Sequence, residues 1–164
     1  MSFLRIISID KPKGWTSFDV VRFIKRQFQE KKVGHLGTLD PMATGVLPVF
    51  LGQATRLIPL FNNVDKTYRA VCKFGESTDT YDAEGTITQT LDPSFLNPQE
   101  VTKAVYSFLG QQEQQTPAFS AAKVNGVPAY KLARQGLEVP VKIRTVTFHE
   151  LDVESVELPF VQFR

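Results

Sequence analysis

The segment Gly34–Pro48 places the strongest constraint on how this chain folds. It reads GHLGTLDPMATGVLP, with three glycines and one proline within its first 12 residues. Such a composition allows backbone angles that other residues avoid and is typical of a loop. The apolar run Val46–Leu51 follows directly and predicts a buried strand. We therefore expect a rigid loop that is anchored by a core strand.

This loop presents two groups that could do chemistry, the carboxylate of Asp40 and the imidazole of His35. Both lie close in sequence to Lys31 and Lys32. A carboxylate held in a rigid loop on a basic surface is a candidate nucleophile or general base. Asp-Pro is also an ordinary turn dipeptide, and a histidine beside glycine is often a surface hydrogen-bonding residue. The residue types alone leave these structural roles open.

The charge distribution indicates a polyanionic partner. Residues 1–66 carry 10 Lys and Arg against 5 Asp and Glu, and residues 114–144 carry 5 against 1. The stretches between and after them are acidic. If folding brings the two basic segments together, they form a positive face that attracts a polyanion. The alternative is scattered, solvated charge.

Several functional classes are excluded by the sequence. The 164 residues suit one globular domain, and no apolar run approaches the ~20 residues that span a bilayer. The single cysteine, Cys72, rules out an internal disulfide framework and a CxxC metal site. No phosphate-binding loop, GxGxxG or HExxH motif is present. We expect a soluble protein of a reducing compartment.

A coarse reading of the pattern predicts mixed helices and strands, and so the α+β class. Ser17 can cap a helix that runs to about Gln29, with Val21, Ile24 and Phe28 as its apolar stripe. Further predictions are strands at Phe3–Ile9 and Lys66–Phe74, a helix at Glu100–Leu109, an Asn125-Gly126 hairpin, a helix at Pro128–Gln135 and strands after Val139.

The Gly34–Pro48 segment resembles the signature of the TruB family of tRNA pseudouridine synthases. Leu36 stands where threonine is common in that family. Further motifs occur in the family's order along nearly the whole chain: Lys11-Pro12-x-Gly14-x-Thr16-Ser17, Asp65-Lys66-x-Tyr68, Thr78-Asp79-Thr80-x-Asp82-x-x-Gly85, Gln115-Thr116-Pro117-x-x-Ser120-Ala121-x-Lys123 and Tyr130-x-x-Ala133-Arg134-x-Gly136.

The resemblance implies a fold and a reaction. The fold would be a mixed, mostly antiparallel sheet with flanking helices and a central cleft. The reaction would isomerise a T-loop uridine of tRNA to pseudouridine by base flipping, without cofactor or metal. By the resemblance Asp40 is the nucleophile, on either the base or the ribose. Tyr68 would pack on the target base, although a core-facing strand residue is the alternative, and His35 would fill the space that the base leaves.

The resemblance also implies RNA contacts. They would come from Asp82, which could equally be a turn residue, and from the basic residues Lys13, Lys31, Lys32, Lys123, Lys131 and Arg134. The last three belong to a thumb-like insertion at about 111–144 that grips RNA. We expect the tRNA T stem-loop as partner, no membrane, no obligatory protein partner, and a cytoplasmic location.

Family members continue beyond the strand that begins near Phe160 into an arginine that pairs with the catalytic aspartate and a C-terminal RNA-binding region. Residues 1–164 do not include these features, so we expect a catalytic domain that is incomplete at its C-terminus and is weakly active or inactive. Three alternatives remain: a non-catalytic RNA-binding module, an RNA-guided relative and a carboxylate hydrolase. The insertion argues against the second, and the lack of a second acid paired with Asp40 argues against the third.

Overall fold

The chain forms two compact units, which divide between Lys66 and Thr67. The structure, a computed structural model, describes residues 4–117, 123–124, 126–129, 132, 135–137, 139–140 and 143–164. Each unit has its own sheets and is described separately.

The first unit is a three-stranded antiparallel sheet with one long helix. Its elements are β1 (Arg5–Lys11), α1 (Ser17–Gln27), β2 (Val33–His35), β3 (Gly45–Leu51) and a 3-10 helix (Gly52–Phe61). Strand β3 lies in the centre and pairs with β1 on one side and β2 on the other, so that Val49 faces both Ile7 and His35. This central position explains why β3 is the nearly continuous apolar run that the sequence shows.

The core of the first unit lies between α1 and β3. Val20 and Ile24 of the helix pack against Leu47, Val49 and Leu51 of the strand, and all five are buried. Burying each such side chain contributes about 1.5–3 kcal/mol. The predicted helix and the predicted strand are confirmed, and the loop side chain of Leu39 packs on the same cluster.

Three local predictions for the first unit are wrong. Thr16, not Ser17, caps α1, because the Thr16 side chain accepts from the backbone of Asp19 while Ser17 is buried. Phe28 lies at the C-terminal cap of α1 and is exposed, beyond the helical stripe. Gly34 and His35 belong to β2 because they pair with β3, a long-range contact that glycine content does not reveal.

The second unit is built from short antiparallel strands and one helix. Its elements are β4 (Ala70–Lys73), β5 (Glu76–Thr78), β6 (Ile87–Thr90), a 3-10 helix (Pro93–Phe95), α2 (Pro98–Tyr106), β7 (Gly110–Gln115), β8 (Lys123–Val124), β9 (Val127–Pro128), β10 (Ile143–Phe148), β11 (Val153–Glu157) and β12 (Phe160–Phe163). The sheets have the orders β11-β12-β4, β10-β7, β5-β6 and β8-β9. All these pairs are antiparallel, and the α+β class is confirmed.

Sequence predictions for the second unit fare unevenly. The hairpin is confirmed by the pairing of Val124 with Val127 and by Gly126 at φ +83°. The strand predicted at Lys66–Phe74 is shorter, since β4 begins at Ala70 and leaves Tyr68 ahead of it. Much of the helix predicted at Pro128–Gln135 lies outside the described residues. Within the part of the chain that the structure describes, neither α1 nor α2 is long and apolar enough to cross a membrane.

Candidate functional site

A buried lysine at the end of β1 organises the candidate catalytic loop. The side chain of Lys11 is fully buried, and its Nζ donates to the carbonyl oxygens of Pro12 at 3.1 Å, Trp15 at 2.7 Å and Pro41 at 3.4 Å. A buried ammonium is tolerated only when its donors are satisfied, and three carbonyl oxygens match its three N–H groups. Lys11 therefore joins the turn before α1 to the residue that follows Asp40.

Three further hydrogen bonds, from Gly14 in the same turn and from Ser17 at the start of α1, fix the backbone on both sides of Asp40. The buried Ser17 hydroxyl accepts from the Leu39 amide at 2.9 Å and donates to the Leu39 carbonyl at 3.1 Å. The Gly14 amide donates to the Pro41 carbonyl at 2.7 Å. Gly14 has φ +85°, a conformation that favours glycine. The motif around residues 11–17 thus positions residues 39–41.

The loop is also closed by contacts within itself. The Leu36 amide donates to the Pro48 carbonyl at 2.9 Å, and the Ala43 amide donates to the Asp40 carbonyl at 3.0 Å. His35 Nδ1 makes a close contact with the carbonyl oxygen of Gly37. This contact restrains the half-buried imidazole of His35 against the loop backbone.

The side chain of Asp40 lies exposed at the outside of this framework. Its carboxylate has no hydrogen bond or ion pair to any residue that the structure describes. Its backbone carbonyl accepts from Ala43 while its carboxylate is open to solvent, and the predicted anchoring of the loop by a core strand is confirmed for residues 36–44. The catalytic role of Asp40 stays a prediction.

The basic residues predicted near the loop are exposed in the first unit. Lys13 lies in the turn between β1 and α1, and Lys31 and Lys32 lie between α1 and β2. The backbone beside them is ordered, since the Lys32 carbonyl accepts from the Gly52 amide at 2.8 Å. The three ammonium groups are available to a polyanion.

Tyr68 lies in the second unit with 58% of its surface exposed, which contradicts a core-facing role. The next residue, Arg69, forms an ion pair with Glu154 of β11 at 2.7 Å. The hydrogen bond from Arg69 is the main cause that lowers the pKa of Glu154, with Gln162 as a second donor, and the same bond raises the pKa of Arg69. Arg69 thereby anchors the backbone that carries Tyr68.

Asp82 shapes the loop between β5 and β6. Its Oδ1 accepts from the Thr80 hydroxyl at 2.7 Å and from the Glu84 amide at 2.9 Å. A Cβ at Gly85 would stand 2.1 Å from the Thr80 Oγ1 and 2.7 Å from the Asp79 Oδ1, so a larger residue would displace both side chains. The sequence left open whether Asp82 is a turn residue, and the structure shows that it is one.

The remaining predicted RNA contacts are described only in part. Lys123 lies in β8, where its backbone pairs with Pro128. Lys131 and Arg134 lie outside the described residues. Within the described ranges, no group of three or more His, Cys, Asp or Glu side chains could hold a metal ion.

The sequence interpretation missed two features of the first unit. Lys11 was expected only as part of the motif at residues 11–17, and Ser17 also as a helix cap. Their contacts with the Asp40 loop were not predicted. The second feature is an exposed groove on α1, lined by Trp15, Phe23 and basic side chains. Its signal was the presence of aromatic residues on the polar face of a predicted amphipathic helix.

Comparison with known proteins assigns the chain that carries these residues to a family. The family described as TruB family pseudouridylate synthase (N terminal domain) matches residues 25–164. This chain belongs to the TruB family. The TruB-family chain is 49% identical over 158 residues to the tRNA pseudouridine synthase B of Syntrophotalea carbinolica, covering 96% of this chain and 52% of that protein. It is 43% identical over 159 residues to the tRNA pseudouridine synthase B of Clostridium kluyveri, and this match covers 97% of this chain and 55% of that protein.

The fold is shared with more distant solved structures. A Cbf5-Nop10-Gar1 complex matches with a TM-score of 0.67 and 28% identity over 96% of this chain and 37% of the other. An H/ACA RNP bound to a substrate RNA containing 2'-deoxyuridine matches with a TM-score of 0.65 and 26% identity. The match covers 96% of this chain and 36% of that chain. The TruB-family chain spans about half the length of the curated relatives it matches.

Proposed function

We propose that this TruB-family protein isomerises a uridine in the T loop of tRNA to pseudouridine. The observation that carries the proposal is the Asp40 carboxylate, which is exposed and without a partner among the described residues. The backbone of its neighbours Leu39 and Pro41 is held by Lys11, Gly14 and Ser17. Relatives at 43–49% identity are named tRNA pseudouridine synthase B, which supports tRNA as the substrate.

The reaction rearranges one nucleotide and adds no atoms. The glycosidic N–C bond breaks, the uracil rotates, and a C–C bond forms between the same ribose carbon and C5 of the base. The C5 proton leaves, and the nitrogen freed by the cleavage gains a proton, so no cofactor is consumed. Asp40 acts as the nucleophile, on either the base or the ribose. Both routes need a carboxylate that the flipped nucleotide can reach, and the exposure of Asp40 supports this role.

The target uridine must leave its stack before Asp40 can reach it. Flipping a base costs a few kcal/mol, which new stacking has to offset. The exposed ring of Tyr68 supports a stacking role, since a base on an aromatic face contributes about 1–3 kcal/mol. His35, restrained by the Gly37 carbonyl, is the proposed residue that takes the vacated place in the RNA loop.

The basic residues bind the RNA backbone in this proposal. Lys13, Lys31 and Lys32 contact phosphates beside the Asp40 loop, and their exposure supports this assignment. Lys123, Lys131 and Arg134 act from the proposed insertion at about 111–144 of the catalytic domain. Asp82 contributes through the loop that it shapes, because one of its oxygens is already engaged by Thr80 and Glu84.

We favour an enzyme that acts without a guide RNA or an obligatory protein partner. The chain is 43–49% identical to relatives named tRNA pseudouridine synthase B but 26–28% identical to the proteins in the Cbf5 and H/ACA structures. The tRNA substrate places the proposed activity in the cytoplasm.

The test compares Asp40→Asn with the wild-type chain under single-turnover conditions, with protein in excess over a tRNA transcript labelled with tritium at C5 of uridine. We expect the weak tritium release of residues 1–164 to fall to background in Asp40→Asn, because the nucleophile is removed. Binding of the tRNA, measured by filter retention, should change less than about twofold, since asparagine preserves the shape of the loop.

Asp10→Asn is the matched control, because Asp10 is an exposed aspartate of β1 in the same unit. It should leave tritium release unchanged. Release by Asp40→Asn at the wild-type rate would refute the nucleophile. Binding without release would favour the non-catalytic RNA-binding module if it persists after the segment that follows strand β12 in family members is added to the chain.

A further inference from the structure

The outer face of α1 carries an open groove that the proposed mechanism does not use. Its volume is about 770 Å³. This volume falls in the range of about 300–1,000 Å³ that is typical of small-ligand sites. The lining residues are Gly14, Trp15, Asp19, Arg22, Phe23, Lys25 and Arg26.

Two aromatic rings form the apolar part of the groove. The rings of Trp15 and Phe23 meet edge to face, with centroids 5.8 Å apart, and they are 38% and 41% exposed. The core does not need them, since α1 already fills it with Val20 and Ile24. Both rings are therefore available to pack against an incoming aromatic group.

Cationic groups surround the rings. The lining contains Arg22, Lys25 and Arg26 against the single carboxylate of Asp19. Arg22 is engaged, because it pairs with Asp19 and lies 5.6 Å from the Phe18 ring. The side chains of Lys25 and Arg26 have no hydrogen bond or ion pair to any described residue. Two cations therefore remain for an incoming anion.

We propose that this groove binds an unpaired nucleotide of the RNA substrate, outside the site of the flipped uridine. The base packs against Trp15 and Phe23, and Lys25 and Arg26 contact the flanking phosphates. Stackable bases on a polyanionic backbone match a groove that combines aromatic faces with free cations. The inference rests on the proposed function, because it assigns a second contact to the same RNA.

The position of the groove supports this assignment. Gly14 and Trp15 line it, and they belong to the turn that holds the Asp40 loop. The Gly14 amide donates to Pro41, and the Trp15 carbonyl accepts from Lys11. The groove and the Asp40 loop are thus connected through the same turn of the first unit.

The test measures binding of a fluorescein-labelled uridine decamer to the whole chain by fluorescence anisotropy. Phe23→Ala should weaken binding about five- to tenfold, in line with the loss of one stacked base. Phe28→Ala is the matched control, because Phe28 is a similarly exposed aromatic residue at the end of α1 that contacts Arg5 outside the groove. It should change binding less than about twofold.

Further variants distinguish aromatic stacking from the size of the side chain, and a local charge in the groove from the net charge of the unit. Phe23→Trp should bind as the wild type does, whereas Phe23→Leu should bind as weakly as Phe23→Ala. Arg26→Glu should weaken binding more than Arg56→Glu, which changes an exposed arginine of the same unit that does not line the groove. Circular dichroism confirms that each variant keeps its fold.

The outcomes separate this inference from the proposed function. Equal affinity of Phe23→Ala and Phe28→Ala for the decamer would refute nucleotide binding by the groove, even if Asp40→Asn abolishes isomerisation. Tritium release by Asp40→Asn at the wild-type rate would overturn the proposed function, while decamer binding would still report on the groove. Equal affinity for a glutamate decamer would overturn it in favour of an acidic protein partner. Loss of a dimer in Phe23→Ala by light scattering, with decamer binding unchanged, would overturn it in favour of a second copy.

Discussion

The contacts of single residues explain how an exposed carboxylate can be held in place. Asp40 has no side-chain partner in the described part of the chain, so its position depends on the backbone of its neighbours. Leu39 is held by Ser17, and Pro41 is held by Gly14 and Lys11. Support through neighbouring backbone leaves both carboxylate oxygens available for reaction, which direct hydrogen bonds to Asp40 would not.

Lys11→Met tests this arrangement at the scale of one residue. Methionine keeps the length of the side chain but donates no hydrogen bond, so the carbonyls of Pro12, Trp15 and Pro41 lose their shared donor. We expect the free energy of unfolding, measured with urea, to fall by about 3 kcal/mol. Isomerisation should fall further than the loss of folded protein explains, because Pro41 follows Asp40.

Lys103→Met is the control for Lys11→Met, because Lys103 is an exposed lysine of α2. It should change the free energy of unfolding by less than about 0.5 kcal/mol. An unfolding midpoint for Lys11→Met equal to that of the control would show that the buried ammonium does not support the loop.

Among the elements, helix α1 contributes to the core, to the Asp40 loop and to the groove through three different parts of its surface. Its inner face supplies Val20 and Ile24 to the core, its first turn supplies Ser17 to the Asp40 loop, and its outer face carries the groove with Phe23. The orientation of the helix decides all three. The capping box between Thr16 and Asp19 fixes where the helix begins.

Thr16→Ala tests the cap. The Thr16 hydroxyl accepts from the Asp19 amide at 3.1 Å, and the Asp19 carboxylate accepts from the Thr16 amide at 2.8 Å. Losing the side-chain half of this box should lower the free energy of unfolding by about 1 kcal/mol in a urea titration. Thr102→Ala on α2 is the control and should be neutral or slightly stabilising, since alanine favours a helix interior. Equal effects of the two variants would count against the cap.

For the whole molecule, the decrease in the free energy of unfolding at low pH follows from carboxylates in both units. The Thr16 hydroxyl, followed by Arg22 and the Thr16 amide, lowers the pKa of Asp19 to about 2. Arg69 lowers the pKa of Glu154, and the hydroxyl and amide of Ser94 lower the pKa of Asp92. A carboxylate with a lowered pKa in the folded state stabilises the fold above its unfolded pKa, and this stability is lost as the pH falls.

We therefore expect the free energy of unfolding to decrease steadily from about pH 5 to about pH 2. Urea titrations at a series of pH values measure this slope. Glu154→Gln should make the slope shallower, because one titrating group is removed. Glu100→Gln should leave the slope unchanged, because Glu100 is exposed on α2 and has no hydrogen bond or ion pair to a described residue. A slope that is unaffected by Glu154→Gln would contradict a stabilising Arg69–Glu154 pair.

Local patterns in the sequence determined the parts of this protein that depend on neighbours in the chain. Residues three and four apart placed Val21 and Ile24 on the buried face of α1, the apolar run placed β3 in the core, and the motif around Asp40 indicated the TruB family. These features depend on helix and strand periodicity or on residues that are adjacent in sequence.

Tertiary structure alone decided the features that need distant segments to meet. Gly34 and His35 form a strand because β3 lies beside them, and Lys11 is buried because the turn before α1 and Pro41 bring their carbonyls to its ammonium. The exposure of Tyr68 and Phe28 likewise depends on where β4 begins and where α1 ends. Long-range pairing and burial carry no fixed spacing along the chain, so no local pattern could have shown them.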